Sequence, residues 1–173
     1  MKHLIQFRAL EEKDIVDVLA IYNYHIINGL SNFEEEPHTY ENFKKTLDEI
    51  KRQELPCIVC SKEDELIGFS YLTKFRNKSG YRFSFENSVY VHHAYVGMGI
   101  GNKILIELVR LSEKNRNIKT IIAVIGNDSK ASIKIHKKNG FNMIGIIKKV
   151  GFKKNKWLDA IYMQKILFNN EKN

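Results

Sequence analysis

The segment that most constrains the fold is residues 88–101, where a strand-like run passes through alternate glycines into an amphipathic stretch. Ser88-Val-Tyr-Val-His-His is followed by Gly97, Gly99 and Gly101, and apolar residues then recur at helical spacing. A glycine-rich turn at a helix N-terminus lets an anion approach backbone N–H groups where the helix dipole is positive. The segment therefore predicts a site for a phosphate-bearing ligand between a strand and a helix.

Strand-like and helix-like patterns follow one another along the chain. The patterns predict strands at 4–9, 56–61, 66–75, 81–92, 120–125, 141–149 and 157–167. Helices are predicted from residue 11, at 40–52, after the glycine turn and at 129–139. The order is β-α-α-β-β-β-α-β-α-β-β, a mixed α/β (α+β) fold. With 173 residues, we expect one domain at 1–168 and a polar tail at 169–173.

The positive charge of the chain is concentrated in its second half. Residues 103–173 hold 16 basic and 5 acidic side chains, and the chain as a whole carries a formal charge of +8. These charges are dispersed along predicted helices and hairpins, with no basic patch interleaved with aromatics and no nucleic-acid motif. We interpret most of them as solvated surface, and we expect no nucleic-acid partner.

The cysteines and the hydropathy pattern indicate the compartment. Cys57 and Cys60 form one C-x-x-C pair inside a strand-like segment, with no second pair, so buried or incidental thiols are favoured over redox or zinc chemistry. We expect no metal. The chain shows no signal sequence and no apolar run long enough to span a bilayer. A cytoplasmic protein without a membrane partner is predicted.

Three classes of ligand use a glycine turn between a strand and a helix. A P-loop requires Gly-Lys-Ser/Thr, whereas Gly101 is followed by Asn102-Lys103-Ile104. A dinucleotide fingerprint requires G-x-G-x-x-G and a later acidic residue, whereas the spacing here is G-x-G-x-G and the strand at 120–125 has no acid. Coenzyme A remains, with its pyrophosphate on the turn and its pantetheine along the strand.

Several ordered motifs extend this interpretation across the chain. They are Ile21-Tyr22-Asn23, Asn32-Phe33 with Glu36-Pro37, the run 80–91 (GYRFSFENSVYV), the run 131–136 (ASIKIH), Gly140-Phe141, Val150-Gly151, Lys156-Trp157-Leu-Asp159 and Met163-Gln164. Together with the glycine turn, they resemble the GNAT superfamily of N-acetyltransferases, and specifically its phosphinothricin acetyltransferase group. The resemblance covers residues 4 to about 167. It implies a single-domain GNAT fold around a central, mostly antiparallel sheet, and relatives that are commonly homodimers.

The resemblance implies acetyl-CoA as cofactor and indicates which residues bind it. Two basic positions of the family are Val96 and Met98 here, so the pyrophosphate cradle is expected to be built mainly from backbone, with Lys103, Lys130 or Lys134 as candidate sources of charge. Ser129 aligns with the asparagine of the usual Asn-x-Ala-Ser box, and Asn127 precedes it by two residues, so both are candidates for the pantetheine contact. The full set of predicted cofactor residues is Tyr90, Val91, Val96, Gly97, Met98, Gly99, Ile100, Gly101, Asn127, Ser129 and Ser132.

Acetyl transfer to an amine requires a neutral amine, donors for the oxyanion and a proton for the departing thiolate. Glu86, in the strand that leads to the turn, matches the family's glutamate and is the predicted general base, acting directly or through water. His136 lies five residues before Phe141, where many members of the superfamily place the tyrosine that protonates the thiolate. His136 is therefore a candidate general acid, although a structural histidine on a helix has the same pattern.

The acceptor is expected to be a small amino acid or analogue, of the phosphinothricin or methionine sulfoximine and sulfone type. Arg82 is the predicted partner of an anionic head, because its guanidinium pairs with carboxylate or phosphinate. The other substrate candidates are Phe33, Glu36, Ser84, Lys153 and Lys156. Two alternatives stay open: another amine (a polyamine, an antibiotic or a protein N-terminus), or an acyl-CoA-binding domain without activity.

Overall fold

A computed structural model describes residues 4–126 and 129–167, and its core is a seven-stranded sheet in the order β1-β2-β3-β4-β5-β7-β6. The strands are β1 (Ile5–Ala9), β2 (Cys57–Lys62), β3 (Glu65–Lys74), β4 (Ser84–Val91), β5 (Thr120–Gly126), β6 (Asn142–Lys153) and β7 (Lys156–Ile166). The helices are α1 (Ile15–Asn28), α2 (Tyr40–Arg52), α3 (Ile100–Lys114) and α4 (Lys130–Lys138). The predicted element order and mixed fold class are confirmed.

The sheet is antiparallel except between β4 and β5, and these two strands separate after a short contact. Their pairing covers Ser84↔Thr120, Phe85↔Ile121 and Glu86↔Ile122. Beyond Glu86, β4 stays paired with β3 as far as Val91, while β5 stays paired with β7 as far as Gly126. The facing edges of β4 and β5 therefore diverge, and a wedge opens in the middle of the sheet.

The helices cover the two faces of the sheet. Tyr22 of α1 and Phe43 of α2 contact the ring of Phe69 in β3, so α1 and α2 lie on one face. A Cβ added to the neighbouring Gly68 would lie 2.6 Å from Ile104 Cδ1, which places α3 on the other face. Both faces bury apolar side chains, and the largest of them are fully enclosed. The wedge therefore opens through a sheet that is packed on both sides.

Two segments differ from the sequence prediction. The strand predicted at 81–92 begins later, at Ser84, because Ser79–Tyr81 forms a short 3-10 turn. The last hairpin was predicted to turn around residues 151–156, but β6 continues to Lys153 and the turn is made by Lys154 and Asn155, whose φ angles are +49° and +58°. Asparagine tolerates this left-handed conformation better than most residues.

Gly151 lies within β6 and not in the turn. A neighbouring aromatic ring leaves no room for a side chain at this position. A Cβ added to Gly151 would lie 2.5 Å from Cδ1 and 2.6 Å from Cε1 of Phe33. The last hairpin and the loop after α1 are therefore in direct contact.

None of the helices within residues 4–126 and 129–167 is both long enough and apolar enough to cross a bilayer. The cytoplasmic location stays a prediction. Residues 127–128 and the predicted polar tail lie outside the described residues.

Candidate active site

A cavity of about 580 Å³ occupies the wedge between β4 and β5 and reaches the loop that follows α1. Its walls come from α1, the loop 29–34, β3, β4, β5 and α4. The predicted site residues that line it are Phe33, Glu86, Tyr90, Ser129, Ser132 and His136. The structure thus brings together the predicted catalytic pair and part of the predicted cofactor set.

Glu86 is the carboxylate at the point where β4 and β5 part. Burial raises the pKa of Glu86, and the positive charge of Arg76 opposes that shift. A carboxylate with a raised pKa is a stronger base than one in water, while it remains deprotonated above that pKa. The position and protonation chemistry of Glu86 suit removal of a proton from an ammonium group.

His136 of α4 is buried, with 3% of its surface exposed, and both of its ring nitrogens have partners. Nδ1 lies 2.8 Å from the carbonyl oxygen of Ser132, and Nε2 lies 2.9 Å from Nδ2 of Asn87. Because a carbonyl only accepts, Nδ1–H is the donor to Ser132, and Nε2 accepts from the Asn87 amide. Burial lowers the pKa of His136, which favours this neutral form.

Tyrosines line the face of the cavity that α1 covers: Tyr22 and Tyr71 are buried, and Tyr90 is half-buried. The rings of Tyr22 and Tyr90 meet edge to face with centroids 4.9 Å apart, and Asn32 Nδ2 donates to the Tyr90 hydroxyl over 3.2 Å. Burial raises the pKa of Tyr71 and of Tyr90 well above the usual value, so both phenols stay protonated. This wall offers neutral hydroxyl groups.

The loop 29–36, which we call the acceptor loop, is held by the last hairpin. Lys153 is 2% exposed, and its Nζ donates to the carbonyl oxygen of Asn32 over 2.7 Å. Burial lowers the pKa of Lys153. Together with the contact between Phe33 and Gly151, this hydrogen bond fixes the loop where it lines the cavity. Lys153 therefore positions the acceptor loop through a bond to backbone.

The glycine turn has the geometry of a backbone anion site. Gly97 and Gly99 have φ angles of +86° and +78°, and no atom lies within 4 Å of a Cβ added at either position. Gly99 is the N-cap of α3, whose first N–H groups have no acceptor within the helix. Val96 and Met98 are exposed, whereas the side chain of Ile100 is buried in the core. Phosphate binding here stays a prediction, supported by open space above the backbone.

Other predicted residues lie away from the cavity walls. The Arg82 guanidinium lies 4.5 Å from the centroid of the Phe83 ring, and it donates to the Ser79 carbonyl. The backbone carbonyl of Val91 accepts from His25 Nε2 over 2.7 Å. Asn127 lies outside the described residues. The remaining substrate candidates that do not line the cavity are Glu36, Ser84 and Lys156.

Sequence reasoning missed Tyr22, Tyr71 and Asn87, which all line the cavity. The alternation of β4 contained a signal for Asn87, since a polar residue interrupts the inward set formed by Phe85 and Val89. No comparable signal identified the tyrosines, because aromatic residues in a strand or on a helix are the usual composition of a core.

Comparison with known proteins defines the class. Residues 7–162 match the family model described as an acetyltransferase (GNAT) domain. The chain therefore belongs to the GNAT acetyltransferase family and is an acyltransferase, as the sequence motifs predicted.

Individual relatives show which acetyltransferases within that family the chain is similar to. The chain is 32% identical to a phosphinothricin N-acetyltransferase of Alcaligenes faecalis, over 92% of this chain and 81% of that protein. It is 32% identical to an L-methionine sulfoximine/L-methionine sulfone acetyltransferase of Pseudomonas aeruginosa, over 87% and 88% of the two chains.

A solved structure shows the same likeness in three dimensions. A phosphinothricin acetyltransferase of Sinorhizobium meliloti, solved in complex with acetyl-CoA, superposes with a TM-score of 0.90. Its identity to this chain is 32%, over 98% of this chain and 92% of that one. The predicted resemblance to the phosphinothricin acetyltransferase group is confirmed.

Proposed function

We propose that this protein transfers the acetyl group of acetyl-CoA to the amino group of a small amino acid or analogue. The relatives named for phosphinothricin and for methionine sulfoximine or sulfone support this acceptor class. The observation that carries the proposal is the half-buried Glu86 carboxylate at the point where β4 and β5 part, in a cavity bounded by the acceptor loop.

Acetyl-CoA supplies the thioester, and the residues of this chain supply binding and proton transfer. The N–H groups at the start of α3 hold the negative charge of the cofactor's phosphates. Glu86 takes a proton from the acceptor's ammonium group, directly or through water, so that the nitrogen lone pair is free to attack. The new C–N bond replaces the C–S bond, the departing thiolate takes up the second proton that the acylated nitrogen loses, and Glu86 then releases its proton to water.

The cradle fits a bulky polyanion because it consists of backbone with free space above it. Charged side chains are absent from positions 96 and 98, so N–H groups and the helix dipole supply most of the affinity for the phosphates at the turn itself. We expect acetyl-CoA binding to weaken with added salt less steeply than in a site built from several Lys and Arg side chains.

The first test is Glu86→Gln, which keeps the shape of the side chain and removes the base. Turnover at neutral pH is expected to fall by roughly 10²- to 10⁴-fold, while the Kd of acetyl-CoA, measured by calorimetry, stays within about twofold. Full turnover in this variant would contradict the assignment of Glu86.

A panel of amines, assayed by release of the CoA thiol, tests the acceptor class. Methionine sulfone, methionine sulfoximine and phosphinothricin are expected to turn over, with a polyamine and an aminoglycoside as comparison amines. Turnover confined to the comparison amines would overturn the acceptor class and leave the acetyltransferase assignment intact.

We also propose that the protein is a homodimer that uses the apolar surface of its last hairpin. Strand β6 is an edge of the sheet. Large apolar side chains with 45–62% of their surface exposed cluster on β6 and β7: Met143, Ile144, Ile146, Ile147, Val150, Phe152, Trp157 and Ile166. Exposed apolar side chains in this number on an edge strand and its neighbour favour contact with a protein surface, and a second copy offers the same residues in return.

A further inference from the structure

Asn87 is a buried polar residue at the start of the wedge, and the proposed chemistry does not use it. It is the first residue of β4 beyond the last pair with β5, Glu86↔Ile122. Its exposed fraction is 8%, and it lines the cavity. A polar side chain buried this deeply beside a ligand cavity requires hydrogen-bond partners.

Hydrogen bonds fix the orientation of the Asn87 amide. The carbonyl oxygen of Ser132 only accepts, so the proton of His136 lies on Nδ1, 2.8 Å away. The lone pair of Nε2 then faces Asn87 at 2.9 Å, and only the NH₂ group of Asn87 provides a donor there. Asn87 Nδ2–H therefore donates to His136 Nε2, and His136 Nδ1–H donates to the Ser132 carbonyl. The amide oxygen of Asn87 consequently lies on the side away from His136.

That oxygen, Oδ1 of Asn87, is buried and has no hydrogen-bond partner among the described residues. An unpaired buried acceptor carries a free-energy cost, so such an atom marks a place where a donor binds. A molecule entering the cavity with an N–H group satisfies it.

The position of Asn87 in the strand indicates which molecule provides the donor. A Cβ on Gly101 would lie 3.4 Å from Cγ2 of Val91 and 3.6 Å from Cδ1 of Ile135, so Val91 faces α3 and α4. Alternate residues of a strand share a face, so Asn87 lies on the same side as Val91, and its bond to His136 of α4 agrees. Glu86 and the tyrosine wall lie on the other side, with the acceptor loop.

The distance along β4 also fits the cofactor. From Val91, next to the glycine turn, to Asn87 the strand advances by four residues, or roughly 13 Å. An extended arm that starts at phosphates on the turn and ends at Glu86 passes along this edge. The pantetheine arm of acetyl-CoA carries two amide groups, and the one nearer the sulfur lies at the reacting end.

We propose that Asn87 Oδ1 accepts a hydrogen bond from the pantetheine amide N–H nearer the sulfur of acetyl-CoA, and that His136 is a positioning residue that orients Asn87. This inference rests on the proposed use of acetyl-CoA and adds a contact through a β4 side chain. It gives His136 a role through Asn87 in place of proton delivery to the thiolate.

Calorimetry on Asn87→Leu tests the contact. The variant is expected to bind acetyl-CoA roughly 5- to 30-fold more weakly. Adenosine 3′,5′-bisphosphate, which carries the nucleotide without the arm, is expected to bind it within about twofold of the wild type. An unchanged Kd for acetyl-CoA, or an equal loss for both ligands, would overturn the proposal, as would an effect confined to the KM of the acceptor amine.

A second variant guards against failure of Asn87→Leu to fold. Asn87→Asp keeps an acceptor oxygen in place, and its second carboxylate oxygen replaces the amide donor, so His136 must take up a proton on Nε2 and donate to that oxygen. With this ion pair formed, the variant is expected to hold acetyl-CoA within about threefold of the wild type. A loss in Asn87→Asp as large as that in Asn87→Leu would contradict the role of Oδ1. If the wild-type protein itself fails to bind acetyl-CoA, the proposed function fails first, which separates the two failures.

The positioning role of His136 is tested by a double-mutant cycle. His136→Leu is expected to weaken acetyl-CoA binding through loss of the Asn87 orientation, so the double variant with Asn87→Leu binds no more weakly than Asn87→Leu alone. Additive losses in the Kd would show that His136 acts independently of Asn87 and would overturn this part. A general acid would instead leave the Kd unchanged and lower kcat.

Discussion

At the scale of single residues, Glu86 is defined by the balance between burial and the charge of Arg76. Burial raises the pKa of Glu86, and Arg76 lowers it. The base functions only when deprotonated, so kcat/KM is expected to fall as the pH drops through this pKa. Arg76→Gln removes the opposing charge, raises the pKa of Glu86 further and moves the acidic limb of the pH–rate profile to higher pH.

The matched control for that experiment is Arg110→Gln. Arg110 pairs with Glu107 on α3, so its loss is expected to leave the acidic limb of the pH–rate profile at the same pH. A shift of that limb to lower pH in Arg76→Gln would contradict the electrostatic account of Glu86.

The two cysteines illustrate how burial suppresses reactivity. Burial raises the pKa of Cys57 to about 12 and that of Cys60 to about 11. At pH 8 both thiols are protonated, so the native protein is expected to react with a disulfide reagent far more slowly than a free thiol does. Two equivalents should react after denaturation in guanidinium. Rapid labelling of the native protein would contradict the interpretation of both cysteines as buried, unreactive thiols.

Several single-residue roles were beyond the reach of the sequence. The motifs indicated Lys153 as a source of charge for the substrate, but its amine is bonded to the Asn32 carbonyl, a contact 121 residues away along the chain. Arg82 carries the same planar fork as a site arginine, yet its guanidinium lies over Phe83. In both cases the sequence identifies the type of side chain, whereas the group that the side chain contacts depends on tertiary packing.

At the scale of elements, the acceptor loop and the last hairpin act together through Gly151. Gly151→Ala places a methyl group where the Phe33 ring lies, at 2.5 Å. The ring must shift, and the KM of the acceptor amine is expected to rise by roughly tenfold, while the Kd of acetyl-CoA stays unchanged. Steady-state kinetics at saturating acetyl-CoA measure the first quantity, and calorimetry measures the second.

Gly145→Ala is the matched control for this element. Gly145 also lies in β6, and no atom is within 4 Å of an added Cβ, so both constants should match the wild type. An unchanged acceptor KM in Gly151→Ala would show that Phe33 is free to move without consequence for the substrate.

Element boundaries show where sequence patterns suffice. The helix predicted at 40–52 matches α2, because Thr39 caps its N-terminus by accepting from the Asn42 backbone N–H and its apolar face is clear. The final turn was predicted to begin too early because Gly151 resembled a turn glycine, whereas Gly151 makes room for a ring from a distant loop. A glycine required by packing and one required by backbone conformation look the same in one sequence.

At the scale of the whole molecule, the apolar hairpin surface is expected to govern assembly. Ile146→Lys places a charge among the exposed apolar residues of β6 and β7, and it is expected to shift the protein from dimer to monomer in light scattering coupled to gel filtration. Val16→Lys is the control, since Val16 is also exposed but lies on α1. A wild-type protein that is monomeric at micromolar concentration would contradict the dimer.

The overall topology was largely readable from periodicity and family motifs, since each strand and helix buries a recognisable face. The divergence of β4 and β5 was not predictable, because the two strands stop pairing after three residue pairs without any recognisable change in the residue types of either strand. The site depends on that divergence, so its cavity emerged only in three dimensions.

The bond between Lys153 and Asn32 also has a consequence for the order of folding. The acceptor loop comes from the first quarter of the chain and its anchor from the last hairpin, with 121 residues between them. Contacts of such long range form late, because the intervening chain must first be ordered. A nascent chain can complete the glycine turn before it can shape the cavity wall that the acceptor loop provides. We therefore expect the proposed cofactor site and the proposed amine site to form at different times.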